Sequence, residues 1–218
     1  MTEAAVSADT RTEPGRRPRK GRILRGIGKT LLTAAAILAA YIVWLLWGTG
    51  FYYDNQQSGL RDDLERRIEA AELGGPAPRT ALPGQAYAIL RIPELEMNEV
   101  VVQGTETEAL KRGPGHYEET ADPWEERGRV GIAGHRTTYG APFWDLNLLE
   151  PGDDIEVVTE RGTFDYEVSR TAVVLPTASE VLDGTRKPSL VLTTCNPRFS
   201  AAERLIVFAE RMDTPELG

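Results

Sequence analysis

Residues 30–53, TLLTAAAILAAYIVWLLWGTGFYY, carry no charged side chain. From Leu31 the run is mostly apolar for about 20 residues, the length a helix needs to cross a hydrocarbon core. Trp44, Trp47, Phe51, Tyr52 and Tyr53 crowd its far end, and amphipathic rings favour the membrane–water interface. A cleavable signal peptide would have a shorter apolar core followed by a small-residue cleavage site. Bulky aromatics stand there instead, so the run reads as an uncleaved transmembrane anchor over 30–53. Eight basic residues precede it (Arg11, Arg16, Arg17, Arg19, Lys20, Arg22, Arg25, Lys29) against three acids. That excess predicts a cytoplasmic tail over 1–29 and an extracellular body, at the cell membrane with a single pass.

The rest of the chain, 31–218, holds 17 basic and 30 acidic residues. A basic tail on an acidic body is a topology signal here, and no nucleic-acid partner is expected. Cys195 is the only cysteine, so no internal disulfide exists. His116 and His135 lie too far apart, with no second cysteine, to form a zinc-spacing cluster, and no phosphate-binding glycine loop appears.

Beyond the anchor, 54–73 reads as an amphipathic helix with Leu60, Leu64 and Ile68 at four-residue spacing. It is either a stalk or a helix lying on the body. Residues 74–85, GGPAPRTALPGQ, form a Gly/Pro-rich hinge. The predicted organisation is a helical stalk and linker over 54–84, one catalytic domain over 85–212, and a short tail over 213–218. The domain has roughly 130 residues, enough for one core.

Its pattern is mainly β. AYAILRI and NEVVVQG are two strands separated at Pro93; GRVGIAGH is an apolar run ending at His135. Residues 152–176 alternate on both sides of Arg161–Gly162, the mark of a hairpin with a two-residue turn. SLVLTTC and ERLIVFAE are the last strands. Seven to eight short strands with few helices and no βα alternation predict a closed or nearly closed β-barrel, because closure removes strand edges.

Cys195 ends one of these strands and Arg204 opens the next. If the two strands are neighbours, both side chains sit at one end of the sheet, and His135 ends its own run at the same rim. Such a set can perform acyl transfer. A thiolate attacks a carbonyl, an imidazolium protonates the leaving amine, and a guanidinium donates to the developing oxyanion. Each residue taken singly also has a plain reading: Cys195 as a small buried filler, His135 as a turn histidine, Arg204 as a solvated strand end.

Taken together, GHRTTYG (134–140), LTTC (192–195) and the arginine opening RLIV (204–207) resemble a sortase, a membrane-anchored cysteine transpeptidase. LKRGPGHY (110–117) also resembles the family. GHRTTYGAPF, TTCNP and the anchor look most like class E. One departure is Val191, which stands where the family's TLXTC box begins with threonine. The resemblance implies a sortase-type closed barrel with Cys195 as nucleophile, His135 as general acid and Arg204 as oxyanion and substrate-backbone donor. Tyr139, Thr193, Thr194 and Asn196 are candidate substrate contacts.

The implied substrates are secreted proteins with a C-terminal LPXTG- or LAXTG-type sorting signal, cut between Thr and Gly through a Cys thioester. The implied acceptor is an amine of peptidoglycan or its lipid-linked precursor, and the resemblance implies no metal or organic cofactor. A pilin-polymerising class C enzyme, a hydrolase acting without an acceptor, and an inactive membrane-anchored binding module are the alternatives. No Asp-Pro-aromatic lid motif lies between 54 and 85; Asp122-Pro123-Trp124 has that form but sits inside the domain. His116, Trp124 and Trp144 are expected to be packing residues.

Overall fold

The computed structural model describes residues 19–44, 49–75 and 81–212. Residues 1–18 of the tail expected over 1–29, and the tail expected over 213–218, lie outside the described residues. Helix α1, Arg19–Val43, forms a unit of its own. It contains a 20-residue apolar stretch, Leu24–Val43, long enough to cross a membrane.

Residues 49–53 of the expected anchor fall in a second helix, and 45–48 lie outside the described residues. Helix α2 begins at Thr49 and runs to Glu72, and Tyr53 is buried rather than placed at an interface. The phenol of Tyr53 donates to Glu99 at 2.8 Å, a partner the sequence does not bring near it.

Eight strands close into a barrel in the order β1-β2-β3-β4-β7-β8-β6-β5, with β5 returning to β1. They are β1 (Ala86–Ile92), β2 (Met97–Gln103), β3 (Gly115–His116), β4 (Arg129–Ala133), β5 (Asp154–Thr159), β6 (Gly162–Val174), β7 (Ser189–Asn196) and β8 (Glu203–Arg211). Between β2 and β3 lies a one-turn helix, α3 (Thr107–Leu110). The period-2 alternation explains the closure. On β7, Leu190 and Leu192 point into the interior core while Val191 packs outside against Ile206 and Phe208. Val191 is fully buried, so the position where the family box carries threonine is an apolar packing site here.

The β5–β6 hairpin turns one residue earlier than the sequence pattern suggests. Gly162 pairs with Thr159, which leaves Glu160 and Arg161 as the loop. Gly162 takes φ +128, so the glycine serves as the first residue of β6 rather than as a loop residue.

Helix α2 is not a free stalk. Leu60 and Leu64 are buried against Ala86, Ile89, Val100 and Val102 on the outer wall of β1 and β2. Burying two leucines stabilises by about 3–6 kcal/mol. The short β3 reaches only Val102 and Gln103, so it leaves Val100 of β2 unpaired on that side. The Gln57 amide fills the gap, donating to the Val100 carbonyl at 2.9 Å and accepting from its N–H at 2.7 Å. Covering a strand edge in this way removes a site of unwanted pairing.

Candidate active site

Three backbone elements converge at one rim of the barrel. β7 and β8 are antiparallel, and Cys195 lies directly opposite Arg204. Both side chains therefore stand on the same outer face, with Cβ atoms about 5 Å apart. β4 runs parallel to β7 with Ala133 paired to Thr193. The pairing continues past the strand end: the Gly134 N–H donates to the Thr193 carbonyl at 3.1 Å, and the Thr194 hydroxyl donates to the Gly134 carbonyl at 2.8 Å. This sets the His135 backbone beside Cys195. The sequence expectation of one shared rim for thiol, imidazole and guanidinium thus has its physical basis in two registers, one parallel and one antiparallel.

The environments of the three differ. Cys195 is half-buried and free. The His135 Nε2 atom is buried and has no hydrogen-bond partner among the described residues. Burial pushes the imidazole below its usual value, because the charged form loses solvation. The Arg204 guanidinium donates through Nη1 to the carbonyls of Ala201 at 3.2 Å and Glu203 at 3.0 Å. Its other N–H groups form no hydrogen bond among the described residues and remain available as donors.

The remaining candidates are placed as follows. Tyr139 tilts over His135 with ring centroids 5.3 Å apart and occupies the left-handed region at φ 50. Thr193 shares the outer face with Cys195, and its hydroxyl lies 3.2 Å from that of Tyr117. Thr194 points inward and is committed to Gly134. Asn196 is engaged at both ends of its amide: Arg136 donates to Oδ1 at 2.8 Å, and Nδ2 donates to Glu203 at 2.8 Å.

Arg136 is the residue that sequence reasoning passed over. It follows His135 directly, is 5% exposed, and carries its charge into the rim. Nη1 donates to the Cys195 carbonyl at 3.1 Å as well as to Asn196, and Nη2 donates to Asn147 at 2.7 Å. One buried guanidinium thus ties the histidine loop to the strand that carries the thiol. Tyr53 is a second such residue. Gly140, at φ +72, lies so close to the Tyr53 ring that a Cβ there would collide with it. The loop after His135 is therefore seated on α2.

His116 is not part of this rim. It is 1% exposed and stacks on Tyr87 at 4.3 Å with the rings 7° from parallel. Trp124 packs against the interior core, and Trp144 lies under the Arg198 guanidinium at 4.5 Å.

The family model described as the sortase domain matches residues 90–212, more than half of the chain. The chain belongs to the sortase family. Sortase SrtE1 of Streptomyces coelicolor is 34% identical, over 87% of this chain and 57% of that protein. The chain thus spans little more than half the length of this relative. Sortase SrtE2 of the same organism is 29% identical, over 99% of this chain and 93% of the relative. Among solved structures, sortase E1 from S. coelicolor, with a tripeptide in its active site, matches with a TM-score of 0.57. It is 36% identical, over 62% of this chain and 92% of that one. The class E resemblance fits these relatives. Sortases are cysteine transpeptidases, and this sortase has one cysteine with which to be one.

Proposed function

We propose that this sortase cleaves a C-terminal LPXTG- or LAXTG-type sorting signal between Thr and Gly and joins the upstream protein to a cell-wall amine. The observation that carries the reading is the rim itself: Cys195 opposite Arg204, beside a His135 whose buried Nε2 has no partner among the described residues. A buried polar atom left unpaired costs stability, and a substrate that engages it recovers that cost.

In the proposed reaction the Cys195 thiolate attacks the threonine carbonyl carbon. The oxyanion forms within reach of Arg204, whose fork of donors stabilises it. The C–N bond breaks as the His135 imidazolium gives its proton to the departing glycine nitrogen. A thioester remains. The acceptor amine attacks it, now-neutral His135 takes the amine's proton, and the thiolate leaves. Because burial pushes His135 down, the imidazolium form is a minority of the free enzyme at neutral pH. The substrate classes are secreted proteins bearing sorting signals and peptidoglycan or its lipid-linked precursor. With α1 as a membrane anchor and its basic flank in the cytoplasm, the catalytic domain works on the outer side.

The test is a mass measurement. The full chain in detergent, incubated with a sorting peptide and quenched in acid, should carry an adduct equal to the peptide through threonine. Hydroxylamine should remove it. Peptide cleavage persisting in Cys195→Ala overturns the reading.

A further inference from the structure

A second cluster of cations lies on the same outer face, at the other end of β7. Strand rise places Ser189 about 20 Å from Cys195. The cluster is built by a break in the strand period. Val168 of β6 points into the core, and strict alternation would send residue 170 inward too. A bulge between Val168 and Arg170 inserts Ser169 and reverses the phase. The Ser169 hydroxyl holds the bulge by donating to the Phe208 carbonyl at 3.1 Å. Arg170 is thereby aimed outward, and its guanidinium lies 3.6 Å from the Phe208 ring centroid.

Arg129 of β4 also lies near this ring, its guanidinium 5.3 Å from the centroid. It donates through Nη1 to the Val181 carbonyl at 2.7 Å, while its Nε is buried with no partner. Between the two arginines opens a pocket of about 150 Å³, also lined by Lys187, Thr185 and Ser189, with Glu210 as its one acid. None of Arg129, Arg170 and Lys187 forms an ion pair among the described residues. In an acidic body this is an unusual concentration of unneutralised charge. Burial, and after it the Arg170 charge, push Arg129 below its ordinary value, and Asp183 offsets this in part.

We propose that this pocket binds a phosphate-type oxyanion. Two planar guanidiniums held near Phe208 present donors in pairs, the geometry that matches phosphate oxygens. Arg129 offers its idle Nε and Arg170 its outward edge, with Lys187 as a mobile point charge at the mouth. The shared chemistry is a phosphate group, whether free in solution or on a lipid headgroup.

The full chain in neutral detergent, titrated calorimetrically with inorganic pyrophosphate in phosphate-free buffer, should show saturable binding. Arg170→Glu should weaken it at least tenfold, with an unchanged melting temperature because the side chain is exposed. Arg129→Gln should weaken it similarly; if that variant melts early, Arg170→Glu alone decides. The basic tail is intact in both variants, so pyrophosphate binding that survives Arg170→Glu unchanged overturns the proposal, as does the absence of saturable binding. Repeating the titration in phosphatidylcholine and phosphatidylglycerol nanodiscs separates the sources. A headgroup already seated in the pocket lowers pyrophosphate affinity only in the second, and a soluble phosphate ligand binds equally in both.

Discussion

The chain has two histidines, and the barrel treats them in opposite ways. His116 sits on β3 with Nδ1 3.1 Å from Gln103 Oε1 and Nε2 3.1 Å from the Ala121 carbonyl. Its ring is stacked on Tyr87, whose phenol donates to Asp122 at 2.6 Å. His135 follows β4, and its Nε2 is buried with nothing to bond. Burial pushes both rings below their usual value. Burial and a displaced titration therefore do not distinguish a histidine committed to the core from one proposed to react. What distinguishes them is whether the ring's hydrogen-bonding capacity is already used, and what lies beside the idle atom. At His135 the idle ring stands on the segment whose backbone runs beside the strand that carries Cys195.

The largest effect that tests this contrast comes from exchanging the two residues' fates. His135→Ala should lower peptide cleavage by on the order of 10³-fold or more, since it removes both the acid and the charge partner of Cys195. Its melting temperature should stay near wild type. His116→Ala should do the reverse, losing about 2–3 kcal/mol through a lost stack and stranded partners, or roughly 5–10 °C in Tm. Thioester formation should survive in the folded fraction. A dead but fully stable His116→Ala would erase the distinction.

Next in size is Arg204. Arg204→Lys keeps the charge and loses the fork, so kcat/KM should fall on the order of 10²-fold while Tm barely moves. If turnover stays near normal, the oxyanion is held by some other donor, and His135 and Cys195 stand without an arginine partner.

A smaller effect is expected from the supports of the His135 loop. Arg136→Lys cannot reach the Cys195 carbonyl, Asn196 and Asn147 together, and Tyr53→Ala removes the ring under Gly140. Each should reduce kcat/KM by about tenfold, in line with the sensitivity of catalysis to small misplacements. The pH profile should keep its shape, because neither residue exchanges protons with substrate.

These supports were the part that the sequence left dark. That Cys195, His135 and Arg204 share a rim was legible because each ends or begins an apolar strand, and strand ends of a barrel meet there. The closure was legible from alternation. Leu60, Leu64 and Ile68 marked a face of α2 but not what covers it, since the matching surface comes from β1 and β2. Tyr53 read as an interface aromatic because its partners, Glu99 and Gly140, lie 46 and 87 residues away in the chain. Arg136 is surrounded in sequence by polar residues that suit an exposed loop. Its burial is set by Asn147, Asn196 and the Cys195 carbonyl, which only the fold assembles. The hairpin turn was off by one because a glycine at positive φ can sit inside the turn or just after it.

The smallest predicted effect concerns stability against pH, and it returns to the two rings. His116 has a folded-state value below its unfolded one, chiefly because burial disfavours the charged ring. Below the ordinary imidazole range, about 6.5, the unfolded chain binds a proton that the folded chain refuses. Stability conferred by the neutral ring is therefore complete above that range. It declines as pH falls through it, and levels off once the folded ring titrates. The slope for one histidine is at most about 1.4 kcal/mol per pH unit. His135 shifts in the same direction, but it is half-buried where His116 is buried. Denaturant unfolding of the full chain between pH 7.5 and 5 should show this decline on top of any carboxylate contribution. His116→Gln, which keeps hydrogen-bonding groups and cannot titrate, should flatten it more than His135→Gln does. If His135→Gln flattens it more, the reactive ring rather than the packed one bears the greater cost of burial, and the ordering of the two sites is reversed.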